Sequence, residues 1–383
     1  MSRSASFYLI LSAGGVVFLC LIALLLALFG FGFQVASTDR PTSPPVEQKI
    51  TTNDLEKLAT TTASTAVVST KPALTVTEVS STTVSIRFVG DIMLDRSVRL
   101  RSIKAGTRSY PFQKLPVGWF DEADYAVANL EGPVTPVRRP PEKSIDLQFD
   151  PTVVSALQET GIDAFSQANN HALDQGNGGY QDSVSALRQA GFLVFGHQVD
   201  DGDISFATTT IKGLRVAFLG WNITDNPMNR EAAARAIAHA KSQSDELIAF
   251  MHWGNEYQDN ASPEQIDTAH WLIDQGVDVV MGGHPHWVEG IATYKNKPIF
   301  WSLGNFVFDQ DFSTKTKQGL AVTLRIDPQT KAISADLAPM QIDFSQPALV
   351  EGVGLSSRLD ALAAISQPDL QEQIRRGQVS FGL

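Results

Sequence analysis

The 383-residue chain has a single cysteine, Cys20, and it lies inside an apolar run. One thiol excludes a disulfide framework, a cysteine-based zinc site and a cysteine nucleophile in the soluble part. "VFLC" also lacks the small residue expected before a lipid-modified cysteine, so Cys20 reads as an ordinary side chain of a membrane segment. Basic charge is short as well: 30 Lys and Arg stand against 41 Asp and Glu, a net charge of −11. A general nucleic-acid binder needs a cationic face to release phosphate counterions, so no nucleic-acid partner is expected. An anionic substrate stays open, because local cations override net charge. No repeat of fixed period is evident. The length admits one large or two ordinary domains, and the apolar share, 43%, is enough for a proper core.

Residues 7–33, "FYLILSAGGVVFLCLIALLLALFGFGF", carry no charge. At about 1.5 Å per residue the run exceeds the ~30 Å hydrocarbon layer, with some left for tilt. The apolar core of a signal peptide usually spans only about 7–15 residues, so this run reads as a retained anchor. Arg3 precedes it and Arg40, Lys49 and Lys57 follow it, so the positive-inside rule does not set the orientation. Short N-termini usually stay inside, which puts the bulk of the chain outside. The stretch beyond the anchor is rich in Thr, Ser, Pro and Val, a composition that buries no core and acts as a solvated tether. The expected organisation is a membrane anchor at 1–35, a flexible linker at 36–83, a globular domain at 84–345 and a helical extension at 346–383. The expected location is the cell membrane, single-pass, with the globular domain extracytoplasmic.

From Val84 onward, short β-branched and aromatic runs alternate with amphipathic stretches. "VSIRFV", "YAVANL", "DAFSQA", "FLVFG", "LRVAFLG", "LIAFM", "VDVVMG", "PIFWSL" and "LAVTLRI" read as strands. "TVVSALQET", "GYQDSVSALRQA", "REAAARAIAHAKS" and "PEQIDTAHWLIDQ" read as helices. In the last, Ile266, Ala269, His270 and Ile273 recur at helical spacing and predict the inward face. Gly161 and Gly276 stand where a helix C-cap wants glycine. The alternation predicts βαβ units and an α/β fold. "GLSSRLDALAAIS" and "PDLQEQIRR" predict helical pieces near the C-terminus.

The unusual polar clusters follow directly on apolar strands. "SIRFV" leads to Asp91, "YAVAN" to Glu131, and "DAFSQA" to Asn170, His171 and Asp174. "LIAFM" leads to His252 and Glu256, "VDVVM" to His284 and His286, and "IFWSL" to Asn305 and Asp309. In α/β sheets the crevice beyond the carboxyl ends of the strands binds ligands. Singly, each cluster is as well explained by a turn, a cap or a rim histidine. "HPH" is more distinctive: proline fixes the backbone, and two imidazoles in an extended i, i+2 arrangement reach adjacent points. Together the clusters offer three histidines, two carboxylates and an asparagine amide, a set that suits one or two divalent ions. Imidazole and carboxylate favour Mn²⁺, Fe²⁺ or Zn²⁺, and the missing thiolates fit a hydrolytic rather than a structural centre. Two such ions clamp the attacking and leaving oxygens of a phosphoryl displacement.

"FVGDIMLDR", "NLEGPVT", "ANNHALDQG", "MHWGNEY", "GGHPHWVEG" and "SLGNFVFD", in this order, resemble the CapA family of bacterial capsule-synthesis proteins linked to poly-γ-glutamate. The resemblance runs over roughly residues 84–310. It implies a calcineurin-like metallophosphoesterase fold, a four-layer α/β/β/α sandwich with its site at the strand ends. It implies Asp91 as a ligand of a first metal, Glu131 as the bridging carboxylate and His286 as a further first-metal ligand. Asn170, His252 and His284 would hold a second metal, with His171 as the acid beside the leaving group. Two positions depart from the wider pattern. Met93 stands where a metal-binding histidine is usual, and the bridging group is Glu rather than Asp. Glu289 stands where the CapA pattern often has glutamine.

An imidazole titrates near ~6.5, so His171 can protonate a leaving oxygen at neutral pH. Asp174 either orients that ring or caps the following helix. Arg96, Glu256 and Asn305 are assigned to the substrate side of the cleft, with Asn305 alternatively supporting the metal shell or a turn. Trp253 and Trp287 wall the cleft or pack the core. Two functions are compatible with this set. One is a metal-dependent hydrolase acting in synthesis or export of poly-γ-glutamate or a related anionic surface polymer. The other is a tethered, non-catalytic assembly factor whose cleft holds that polymer. Membrane polymer-synthase subunits are the expected protein partners.

Overall fold

Continuous apolar runs become strands buried on both faces, and the chain lays them down in two sheets. A computed structural model describes residues 83–382. The expected anchor at 1–35 and all but the last residue of the linker lie outside the described residues. Among the described residues no helix is long and apolar enough to cross a membrane. The first sheet starts with β1 (Val84–Ile92), β2 (Tyr125–Leu130), β3 (Ala164–Ser166) and β4 (Leu193–Phe195), all mutually parallel. The chain then builds a second sheet from β5 (Phe206–Ile211), β6 (Leu214–Asn222), β7 (Glu246–His252), β8 (Val279–Gly283), β9 (Ile291–Tyr294) and β10 (Lys297–Phe300). Its order is β5-β6-β7-β8-β10-β9.

The chain returns to the first sheet with β11 (Asn305–Val307), β12 (Gln318–Ile326), β13 (Ile333–Asp343), β14 (Gln346–Leu349) and β15 (Gln378–Phe381). That sheet runs β14-β13-β12-β1-β2-β3-β4, with β11 beside β1 and β15 beside β13. All nine expected strands form. β5, β9, β11 and β13–β15 were not foreseen.

Strand alternation sends successive side chains to opposite faces and so makes three cores. Phe88, Val127 and Phe195 of the first sheet meet Phe218, Phe250 and Met281 of the second. Phe88 lies edge-on to Phe218 and Phe250, with ring centroids 6.2 and 6.1 Å apart. On the other face of the first sheet, Val89, Ala128 and Phe165 pack with Val153, Leu157 and Leu187. These last three come from or flank α2 (Val153–Gln158) and α3 (Gly176–Gln189), which follow α1 (Arg96–Ala105) in the chain. On the other face of the second sheet, Leu219, Ala249 and Val280 pack with Ile237 of α4 (Arg230–Gln243) and Leu272 of α5 (Pro263–Gln275). Helices, sheet, sheet and helices therefore succeed one another.

Two local expectations are corrected. α5 begins with a full capping box between Ser262 and Gln265 and ends at Gly276, φ 109°. Its buried face runs through Gln265, Thr268, Ala269, Leu272 and Ile273, while Ile266 is 39% exposed and His270 stacks on Tyr294. The inward stripe is turned by one position, because the capping glutamine points inward. The segment beyond 346 carries α6 (Gly352–Ala364) and α7 (Gln371–Arg375), but also β14 and β15, both hydrogen-bonded to β13. It is therefore not purely helical: both strands are four residues long, too short for a periodic signal.

β1 and β8 carry the two sheets close together where the site forms. A Cβ at Gly283, the last residue of β8, would lie 2.7 Å from Asp91 Oδ1, and within the first sheet one at Gly90 would lie 1.9 Å from the Gly304 carbonyl oxygen. Only glycine fits at either approach.

Candidate metal centre

Asp91, next to last in β1, stands in register with Asn129 of β2 and Asn305 of β11. Its carboxylate is fully buried and accepts from Asn129 Nδ2 at 2.8 Å and from the His284 backbone N–H at 3.0 Å. Glu131 follows β2, is also fully buried, and has no hydrogen-bond partner for either oxygen among the described residues. Asp91, Glu131 and His252 each place a possible ligand atom within 4.8 Å of the others. Burial pushes the Asp91 carboxyl up to about 6, despite its two donors. Burial, then the nearby Asp91, holds Glu131 well above the ordinary carboxylate range. Two carboxyl groups kept from water with so few donors are costly unless a cation joins them.

The histidines complete the same crevice. His252 ends β7, with Nε2 2.9 Å from Asn170 Oδ1, and its ring centroid is 4.8 Å from that of His284. Burial pushes the pKa of His252 well below its ordinary value, that of His284 to about 4 and that of His286 to about 3. All three are therefore neutral at physiological pH, the form that ligates metals. His284 Nδ1 has no partner among the described residues. His286 Nδ1 lies 2.9 Å from Asn305 Oδ1, and the Asn305 amide nitrogen donates to Gln310 Oε1 and to the Thr316 carbonyl. Asn305 must therefore accept from a protonated Nδ1, which leaves the Nε2 lone pair free.

"HPH" is not extended: His284 has φ 90° and His286 φ 58°. Bulky residues in this region carry of order 1–3 kcal/mol of strain each, and such strain gathers at functional sites.

His171 and Asp174 form a second group at the end of β3. His171 Nδ1 is 2.7 Å from Asp174 Oδ2. The same oxygen accepts from the Leu147 backbone N–H at 2.7 Å, and Asp174 Oδ1 pairs with Lys143 Nζ at 2.7 Å. Asp174 caps nothing: the N-cap of α3 is Gln175, without a side-chain cap bond. It orients the His171 ring instead.

Not every assigned residue faces the crevice in the same way. Asn305 is fully buried with its amide committed, so it supports His286 rather than contacting substrate. Arg96 is bonded through its guanidinium to Asp309 beside the crevice. Glu256 sits on the rim, 4.0 Å from His286 Nε2. Trp253 is core, its Nε1 donating to the Trp301 carbonyl at 2.9 Å, while Trp287 is half-buried under Lys315. Met93 is fully buried among Ile92, Leu94 and Phe306, and its sulfur accepts from the Asp95 N–H.

Three residues outside the expected set hold the site together. Asn169 donates to Asn129 Oδ1 and to the Leu130 carbonyl, and it accepts from the His171 N–H. Asn129 in turn grips Asp91. Lys143 donates to the Asn170 carbonyl at 2.6 Å and pairs with Asp174. An adjacent asparagine pair hinted at Asn169, but nothing local marks Asn129 or Lys143.

Fold and site together define a two-sheet α/β protein with buried carboxylates and neutral histidines gathered at converging strand ends. Residues 85–310 match the family described as bacterial capsule synthesis protein PGA_cap, and the chain belongs to that family. It is 31% identical over 285 residues to the capsule biosynthesis protein CapA of Bacillus anthracis, covering 69% of this chain and 68% of that protein. It is 27% identical over 321 residues to the PGA biosynthesis protein CapA of Bacillus subtilis (strain 168), covering 79% and 83%. A crystal structure of a hypothetical protein from Thermus thermophilus aligns with a TM-score of 0.39 and 15% identity over 69% of this chain and 96% of that one. That likeness is too loose to bear on function.

Proposed function

We propose that the chain is a membrane-anchored protein of poly-γ-glutamate capsule or related surface-polymer synthesis or export, acting through a metal-dependent hydrolase-type site on a metallophosphoesterase-type sandwich. The observation that carries the reading is Glu131: a fully buried carboxyl group with two unpartnered oxygens, facing Asp91 and neutral histidines. A divalent cation is the group such a donor set fits. Asp91, Glu131 and His286 would hold one ion and Asn170, His252 and His284 another, of Mn²⁺, Fe²⁺ or Zn²⁺. Bound there, such ions supply Lewis acidity and polarise water and the scissile group.

The chain's own residues supply the rest. Asp174, fixed by Lys143 and the Leu147 N–H, accepts from His171 Nδ1–H and fixes the ring. Doubly protonated and paired with that carboxylate, His171 gives its Nε2 proton to the departing oxygen or nitrogen and keeps the one on Nδ1. Arg96 and the rim carboxylate of Glu256 orient an incoming chain. The anchor at residues 7–33 keeps this crevice outside the membrane, near the synthase subunits that deliver the polymer. Metal analysis of the purified chain, with turnover of a generic phosphodiester, tests the reading. Bound metal with turnover lost in His171→Ala supports it; a chain that takes up no divalent ion refutes it.

Met93 favours a second reading. Where the wider pattern offers a histidine, this chain has a methionine packed into the apolar core. A first ion is left with three protein ligands, and the crevice then holds an anionic polymer without cutting it. Metal uptake without turnover of phosphodiester or γ-glutamyl substrates supports that alternative.

A further inference from the structure

A second cavity, of about 180 Å³, opens between α6, the start of β12, Pro339 and Met340 of β13, and Trp287, the residue after His286. Leu320, Met340 and Leu362 give it hydrocarbon walls, and Asp259 and Gln318 also line it. Two cations border it, and they differ. Lys315 is neutralised by Asp259 and lies 4.4 Å from the centre of the Trp287 ring. Arg358 is in no ion pair among the described residues: Nη2 donates to the neutral amide oxygen of Gln341 at 2.6 Å, Nη1 has no partner there, and the Asp343 carboxylate acts on it only without contact. Burial lowers the guanidinium pKa, and Asp343 opposes that shift without cancelling it. Trp287 Nε1 is a second buried donor without an acceptor among the described residues.

We propose that this cavity is a binding pocket for a carboxylate carried on a short methylene stem, with Arg358 as its counter-charge. One cation outside any ion pair matches a monoanion. Two orphaned N–H donors match the two oxygens of a carboxylate better than the three of a phosphate dianion. The apolar walls take the stem. The volume is below the ~300–1,000 Å³ of sites for drug-sized ligands, so it admits one short group of a longer molecule. Tyr257 stacks on His286 and leans on Trp287, with centroids 6.1 and 6.2 Å away, which puts the pocket beside the candidate metal centre. A glutamyl unit carries such a group. That identity rests on the surface-polymer reading above; the pocket does not.

Calorimetry on the full chain in detergent tests this with glutarate, a γ-linked glutamate trimer and ethyl phosphate. Arg358→Met removes the counter-charge, and Ala361→Trp, at an exposed position lining the cavity, blocks it while leaving the core untouched. Circular dichroism melts verify that both variants fold. Glutarate and the trimer should bind wild type, with affinity at least about tenfold weaker in each folded variant and divalent-metal content unchanged. Glutarate binding that depends on Arg358, with no binding of the trimer, upholds the pocket and overturns the glutamyl identity. No binding of glutarate, equal binding by the variants, or tighter binding of ethyl phosphate overturns the pocket itself.

Discussion

Replacing Glu131 by glutamine separates the two things its carboxylate does. In the ion-free chain the group is a burden, because it is fully buried and neither oxygen has a partner among the described residues. Burial and Asp91 hold its pKa well above the ordinary 4.5. Below about pH 4, Glu131 is protonated in folded and unfolded chains alike and has no effect on stability. Above that the unfolded chain ionises while the folded one does not. The fold then loses about 1.4 kcal/mol per pH unit until the folded pKa is reached.

Glutamine cannot ionise, so the ion-free Glu131→Gln chain should match wild type near pH 4 and exceed it by a margin that grows by about 1.4 kcal/mol per pH unit above the ordinary carboxylate range. Divalent ions should invert the order. At a hundredfold excess over Kd they stabilise wild type by about 3 kcal/mol, and the variant by much less. Urea unfolding in detergent, with EDTA or with Mn²⁺ and at several pH values, reads both effects. A difference that is constant with pH, or equal stabilisation of both chains by Mn²⁺, refutes the placement of Glu131 as a cation ligand.

Gly283→Ala puts a methyl group 2.7 Å from Asp91 Oδ1. It should cost about 1–3 kcal/mol of stability and weaken metal uptake, read by unfolding and metal analysis. Asn305→Ala removes the acceptor that fixes the His286 tautomer; metal affinity should fall roughly 10–100-fold by competition with a chelator, with the fold intact by circular dichroism. Asp174→Asn keeps the shape but removes the carboxylate charge that pairs with the doubly protonated His171 ring. Phosphodiester turnover should drop about 100-fold or more with metal content unchanged, and full activity in that variant would remove His171 from the role of acid.

The fold was legible where one residue pattern had one solution. Buried strand segments such as "VAFLG" and "VVMG" are apolar throughout because both faces are covered, and the helices between them declare themselves by period and cap. Edge and closing strands were not legible. β5 is mostly half-exposed with three consecutive threonines, and β14 contains a proline. These strands are held by register with β6 and β13, which a local window does not contain.

For the site, sequence reading found the residues whose chemistry is distinctive and missed those whose chemistry is ordinary. Asp91, Glu131, His252, His284 and His286 stood out because ionisable groups after apolar strands need a reason. Asn129 reads as one more residue of "YAVANL", yet its amide grips Asp91 and receives Asn169, tying β1 to β2 and to the loop that carries His171. Lys143 sits in a polar loop, 27 residues before Asn170 in the chain, and only the fold brings it to Asp174. The left-handed backbone of His284 and His286 was equally hidden, since "HPH" suggests extension and the constraint comes from Asp91 accepting the His284 N–H. The ligand types are thus written locally, while their aim is set across the sheet. Met93 belongs to both levels. It was visible as a missing histidine, but its burial among Ile92, Leu94 and Phe306 means that the position is occupied by core packing rather than left open for a ligand. Under the proposed function, the choice between hydrolysing and holding a polymer therefore turns on the ligands that remain around Glu131.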